Sequence, residues 1–292
     1  MQFYFNTVTS QDSFEGLLLT LVLDIIIKGL QSAPLFDSES QRFIGMLTVT
    51  DFIQLVLHYY DEKKPYDEAI AEIGQMDIAG LRRIEQNIQC LPQKTVTIDP
   101  GQSLLEASRL LIENHLHRLP LIDSSTGQSD AIVSVMTQYK ILKFVAANSK
   151  RTTEMGRSVF ELGIGRYSDL YTATLDTKLI DILQKLISKR ISSVPIVDAN
   201  GCILNVYEKY DVLMLAKAGP YYDLQVPIRE ALLYRSPDFE GIHSCSPSDT
   251  LGSLLDSMRS TIVHRFIVLK DNRLFGIVSL SDILAFLIRS AN

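Results

Sequence analysis

Hydrophobic positions along this chain recur in one arrangement that is used four times. A helical stripe leads into a short apolar strand, a turn, a second apolar strand and a closing helix. The entering strands read SAPLFD at 32 to 37, HRLPLID at 117 to 123, SSVPIVD at 192 to 198 and HRFIVLK at 264 to 270. The strand-to-helix exits read GMLTVTDFI at 45 to 53, VSVMTQYKI at 133 to 141, LNVYEKYDV at 204 to 212 and IVSLSDILA at 277 to 285. Short apolar runs bounded by turn residues fit strands, and apolar spacing of three and four fits helices. Leu179, Ile182, Leu183 and Leu186 therefore predict a helix ahead of the third hairpin, and Leu251, Leu254, Leu255 and Met258 one ahead of the fourth. In the second copy Ser103 and Glu106 form a capping-box signature at the start of LLEASRLLI. DANG at 198 to 201 and KDN at 270 to 272 carry hairpin-turn residues. The equivalent positions Asp51, Lys140, Asp211 and Asp282 lie 89, 71 and 71 residues apart, a regularity that marks an internal repeat.

One such unit is too small to bury its own apolar faces. Each copy is expected to pair with a neighbour, and two pairs to pack together. The fold class predicted is α/β (α+β), with copies at 1–60, 88–148, 165–218 and 238–290. Longer connectors separate them at roughly 61 to 94 and 146 to 170, and a segment with Pro220, Pro227 and Pro237 links the third copy to the fourth. The first copy is the irregular one. Residues 1 to 12, MQFYFNTVTSQD, show no pattern, so the chain is expected to begin inside its first module. Residues 14 to 30 are very apolar but contain Glu15, Asp24 and Lys28, with no basic region before them. Leu18, Leu21, Val22 and Ile25 instead predict a buried amphipathic helix, neither a membrane span nor a signal peptide.

Composition changes this picture little. Of 292 residues 46% are hydrophobic and 21% charged, as in ordinary globular chains. The net charge of −6 argues against a nucleic-acid partner. Cys90, Cys202 and Cys245 are far apart and share no metal spacing with histidine, so they read as reduced structural thiols of an intracellular protein.

The polar positions that repeat are the candidates for chemistry. Thr48-x-x-Asp51 and Ser279-x-x-Asp282 open helices directly after strands. A helix N-terminus offers free N–H groups and a positive dipole end, which suit a phosphate or a hydroxyl-rich ligand. A carboxylate there can accept from both hydroxyls of a ribose. The same motif is also a plain helix cap. In the third copy Glu208 takes the cap position while Asp211 is retained; in the second, Thr137 is retained while Lys140 takes the acid position. Acid and cap thus vary separately, as a second role for the acid requires. His117-Arg118 and His264-Arg265 occupy the same place in copies two and four. Singly, each reads as a helix C-terminus favoured by the dipole; together, facing one centre, they make a cationic hole for phosphates. Arg235, in YRSPDFEGI, either joins that hole or is a surface residue. No P-loop, GxSxG, HExxH or paired CxxC occurs, the Gly163-x-Gly165 fragment is isolated, and His58 reads as structural. Catalysis has no positive support.

These segments resemble cystathionine-β-synthase (CBS) repeats. From about residue 17 to 290 the chain is similar to the γ regulatory subunits of AMP-activated protein kinase, in their fungal form (the sucrose-nonfermenting kinase type). The resemblance implies two tandem CBS pairs in a flat disc with a central channel. It implies competitive binding of AMP, ADP or ATP as regulatory ligands, no further cofactor, and a heterotrimer with a catalytic kinase α subunit and a scaffold β subunit. A cytoplasmic and nuclear location, with no membrane partner, is expected. By the same resemblance Asp51, Asp211 and Asp282 are ribose-binding acids. His117, Arg118, Arg235, His264 and Arg265 face phosphates, with Thr48, Thr50, Ser279 and Ser281 as hydroxyls that help. Ser192 and Ser193 match a nucleotide-contacting pair. Lys140 fits a family whose second site is usually empty. Gln31 and Tyr139 depart from animal members, which carry basic residues there, and residues 1 to 16 do not match the extra helix and strand of the family. Two other readings stand beside this one: a CBS-repeat regulator of another enzyme or transporter with an adenosyl ligand, and a scaffold with decayed sites.

Overall fold

The computed structural model describes residues 32–37, 40–61, 68, 72, 80, 83–84, 96–125, 127, 129–148, 153–217, 223–235, 239 and 241–290. The helix expected at 14 to 30 and Cys90 lie outside these residues. Four hairpins, each followed by a helix, form the frame. The first is β1 (Ser32–Asp37) and β2 (Arg42–Thr48), leading into α1 (Val49–Asp61). In the second, α2 (Leu104–Glu113) precedes β3 (Arg118–Asp123) and β4 (Ala131–Thr137), and α3 (Gln138–Asn148) follows. In the third, α4 (Leu179–Ser188) precedes β5 (Ser193–Val197) and β6 (Ile203–Glu208), and α5 (Asp211–Lys217) follows. A short α6 (Ile228–Ala231) and the strand β7 (Ser244–Cys245) lead to α7 (Leu251–Ser260), β8 (Arg265–Lys270), β9 (Arg273–Ser279) and α8 (Leu280–Ser290).

The helices predicted from apolar spacing form where that spacing ran. Leu179, Ile182, Leu183 and Leu186 of α4 are buried, as are Leu251, Leu254, Leu255 and Met258 of α7. Ser103 caps α2 by accepting from the Glu106 N–H at 3.1 Å. Each hairpin is antiparallel, and each shifts register at the same point, three residues past the strand start: Leu35/Phe36, Leu121/Ile122, Ile196/Val197 and Val268/Leu269. A bulge increases local twist, so four equivalent bulges bend four hairpins alike. The DANG turn closes on Asp198, whose carboxylate accepts from the Asn200 and Cys202 N–H groups. In the KDN turn Asp271 and Asn272 both have positive φ, the conformation a tight hairpin turn needs.

Two apolar cores hold the four units, and each core joins alternate copies. Leu35, Leu47, Ile53 and Leu55 of the first copy pack with Leu183, Val194, Ile196 and Tyr207 of the third. Leu111, Leu119, Ile141 and Leu142 of the second pack with Leu254, Met258, Phe266 and Ile283 of the fourth. Full burial of each such side chain contributes about 1.5–3 kcal/mol. Consecutive copies meet instead along their hairpin turns. Asp130 accepts from Arg42 at 3.0 Å and from the Phe43 N–H at 2.9 Å, and returns its own N–H to Gln41. Between copies three and four the contact is backbone: Cys202 forms an antiparallel bridge with Arg273, and the Leu274 N–H donates to the Gly201 carbonyl at 3.0 Å. The neighbour pairing expected from repeat order is therefore a backbone and ion-pair seam, and the shared hydrophobic faces run across it.

Candidate functional site

Hairpin register explains why the repeated polar residues gather. In each copy the first residue of the entering strand pairs with the last residue of the exiting one: Ser32 with Thr48, Arg118 with Thr137, Ser193 with Glu208 and Arg265 with Ser279. Entry and exit residues, far apart in sequence, thus share one end of each hairpin, where the next helix begins.

The three acids do similar local work. Asp51 Oδ2 accepts from the Thr48 N–H at 2.6 Å and from its hydroxyl at 3.1 Å. Asp211 Oδ2 accepts from the Glu208 N–H at 2.8 Å. Asp282 Oδ2 accepts from the Ser279 N–H at 2.8 Å and its hydroxyl at 2.6 Å. Each carboxylate therefore braces its own junction, as the capping reading requires. Their accessibility differs: Asp51 and Asp211 are buried, whereas Asp282 is half-buried. In the second copy the Lys140 N–H donates to Thr137, and the ammonium folds back onto the Val135 carbonyl at 2.8 Å.

Arg235 sits on Asp211. Its Nε donates to Asp211 Oδ1 at 2.9 Å, its Nη2 reaches Oδ2, and its Nη1 donates to Asn205 at 2.7 Å. The guanidinium also lies 4.1 Å from the Phe239 ring centroid. Arg235 and Asp211 side chains are only 9% and 8% exposed, so the surface-residue alternative does not hold. Burial pushes the Asp211 carboxyl up from its ordinary range, and Arg235 opposes that shift.

His117, Arg118, His264 and Arg265 converge with a residue not foreseen, Lys209. Desolvation lowers the His117 pKa, and the positive charges of Lys209, Arg265 and Arg118 lower it further, against a hydrogen bond to Gln138. Desolvation likewise lowers His264, helped by Arg265, Arg118 and His243 and opposed by the Glu208 carboxylate. Both histidines keep exposed surface while enclosed by protein, the condition of side chains lining a cleft. Lys209 is also pushed down by desolvation, with Asp51 pulling the other way. Its ammonium donates to Thr50 Oγ1 at 3.1 Å. Arg265 pairs with Glu208 and lies 3.4 Å from Ser192 Oγ. Ser193 is buried at the start of β5. Ser281 donates to Gln138 Oε1 at 2.9 Å.

Cations from copies two, three and four thus meet at one centre, edged by Thr50 and Asp51 of the first. Such a centre can stabilise an anion through charge-assisted hydrogen bonds. Lys209 and Gln138 were legible only as the second residue of the four-residue junction in copies three and two, and Asn205 gave no signal. Tyr139 turns its hydroxyl to the Met258 and Thr261 carbonyls at 3.4 and 3.2 Å, so it seals copies two and four together. Gln31 lies outside the described residues. No group of metal-ligating side chains occurs among the described residues, and Cys245 is a buried thiol pushed up to about 12.

Comparison with known proteins identifies the repeated unit and the family. The CBS domain family model matches residues 88–147, 165–217 and 239–289. The β1–β2 hairpin and α1 add a fourth unit with the same register and bulge. The 5'-AMP-activated protein kinase subunit gamma of Saccharomyces cerevisiae is 39% identical over 280 residues, covering 95% of this chain and 86% of the relative. That of Kluyveromyces lactis is 40% identical over 277 residues, covering 94% and 83%. The chain belongs to the AMP-activated protein kinase γ-subunit family. The human gamma-3 subunit is 36% identical over 270 residues, covering 91% of this chain and 54% of the relative. A solved structure of a protein from Methanocaldococcus jannaschii superposes with a TM-score of 0.70 at 14% identity over 92% of each chain, which shows a shared fold. As a γ subunit the chain is a regulatory component of a kinase complex and not its catalyst.

Proposed function

We propose that this γ subunit senses cellular energy by binding AMP, ADP and ATP in competition at its strand-to-helix junctions. Asp282, Asp211 and Asp51 hold ribose, Arg118, Arg265, Lys209 and the two histidines receive phosphate, and Thr48, Ser279, Ser192 and Ser193 complete the contacts. The observation that carries the reading is the convergence of His117, Arg118, Lys209, His264 and Arg265, drawn from three copies, on one centre. The Glu208 and Asp51 carboxylates offset these cations only in part; nucleotide phosphates add further negative charge, and a bound phosphate relieves the mutual repulsion of the cations. Asp282 is the most accessible acid, so the fourth-copy junction fills first. At the third junction ribose competes with Arg235 for Asp211.

In this reading the partners are a catalytic α subunit and a scaffold β subunit, and the complex works in the cytoplasm and nucleus. Competition of AMP, ADP and ATP against a fluorescent adenine nucleotide tests the binding. Co-purification tests the partners: recovery of a Ser/Thr kinase with the tagged chain supports the reading, and recovery of a different enzyme or a transporter favours the other CBS-regulator reading. A fluorescent fusion excluded from both cytoplasm and nucleus contradicts the location.

A further inference from the structure

Glu208 stands where the other three copies have a hydroxyl: Thr48, Thr137 and Ser279. Those hydroxyls act within their own junctions. Thr48 and Ser279 donate to the acid three residues on, and Thr137 accepts from the Lys140 N–H. The Glu208 carboxylate leaves its junction and pairs with Arg265 of the fourth copy. Both side chains are largely enclosed, with 10% of Arg265 and 24% of Glu208 exposed. Its negative charge also reaches His264, beside Arg118 and Arg265. Glu208 thus places a carboxylate inside a centre otherwise built of cations.

We propose that Glu208 is a tethered anion that stands in for a ligand phosphate on Arg265, and that it sets how strongly the centre discriminates between nucleotides by charge. The inference rests on the nucleotide reading above. A phosphoryl group reaches Arg265 only by sharing or displacing the carboxylate. The repulsion between them is only weakly screened in an enclosed site and grows with each added phosphate. Specificity then arises from a repulsive element built against the more highly charged ligand, which a serine or threonine at this position would not supply.

Calorimetric titrations with AMP, ADP and ATP, at one ionic strength and without divalent metal, test this on the full chain and on Glu208→Gln. The variant is expected to tighten ATP about tenfold, ADP less, and AMP by no more than about twofold. Glu208→Ser, which restores the hydroxyl of the other copies, is expected to show the same order and serves if the glutamine variant fails to fold. In an Arg265→Gln background the order should vanish, because the carboxylate then has no guanidinium to occupy. Equal change for all three nucleotides, or weaker binding of all three, overturns the inference while leaving the nucleotide reading standing. A wild-type chain that binds none of them overturns both.

Discussion

Lys209 Nζ donates to Thr50 Oγ1 at 3.1 Å between copies three and one, and the same two repeat positions meet again between copies four and two, where Ser281 donates to Gln138 at 2.9 Å. Each apolar core thus carries a polar bridge between the same two repeat positions. The bridges differ in charge. Lys209 brings an ammonium into a centre that already holds Arg118 and Arg265, and desolvation pushes its pKa down.

That difference predicts a trade between stability and binding. Lys209→Met removes a desolvated cation and keeps its stem, so the ligand-free chain should gain about 1 kcal/mol in denaturant unfolding. Adenine-nucleotide affinity should fall about tenfold. A variant that loses stability and keeps its affinity would show that Lys209 is structural.

The histidines predict a pH dependence. His117 and His264 have pKa values below the ordinary 6.5 when folded. Near and below that value the unfolded chain binds more protons than the folded one, so stability is present above it and falls as pH drops through the folded values. Their remaining accessible surface makes the slope shallower than two fully buried groups would give. A bound phosphate opposes Lys209, Arg118 and Arg265 and raises both pKa values, so binding takes up protons and the loss shrinks. Melting curves from about pH 7.5 to about pH 5.5, with and without ADP, measure this. A melting temperature that stays flat without ligand contradicts it.

Arg235 and Asp211 form a buried pair, and removing one partner strands the other. Arg235→Ala should cost about 3–5 kcal/mol. Arg235→Gln with Asp211→Asn, which removes both charges, should recover most of it. Chemical denaturation of the three proteins decides this, and equal losses for the single and double variants would count against the pair.

Asp130, which accepts from the Ser124 hydroxyl of its own copy, holds the seam of copies one and two through Arg42 and the Phe43 N–H. Asp130→Ala should cost about 1–2 kcal/mol. Those hydrogen bonds hold the carboxyl below its usual range, so their contribution is present above pH about 4 and lost as pH falls through the folded value. Hydrogen exchange should rise first at Phe43, whose N–H donates to this carboxylate. Exchange that rises first in the α1 core instead would place the weak point elsewhere.

Much of this was legible in the sequence. Strand and helix periods marked the hairpins and helices because each obeys a local rule, and the equal spacing of Asp211 and Asp282 from their predecessors marked the repeat. The His-Arg pairs were legible for the same reason, since both copies carry them in one place. Which copies share a core was not legible. Every helix face is similarly apolar, and nothing local says whether Ile53 meets the second copy or the third. Contacts made across copies were hidden with it. Lys209 looked like an ordinary junction residue until Thr50 lay beside it, and Arg235 revealed its partner only once the chain after α6 turned back onto β6. Glu208 was read as a changed cap, yet its consequence lies on Arg265, 57 residues away.

Calorimetric titration of the purified chain and of Asp282→Ala with AMP, ADP and ATP decides whether these junctions hold adenine nucleotides. Binding to the wild type should be saturable and competitive among the three nucleotides, and the variant should lose about tenfold or more at its tightest site. Absence of binding to a folded wild type, or identical isotherms for the two proteins, would contradict it.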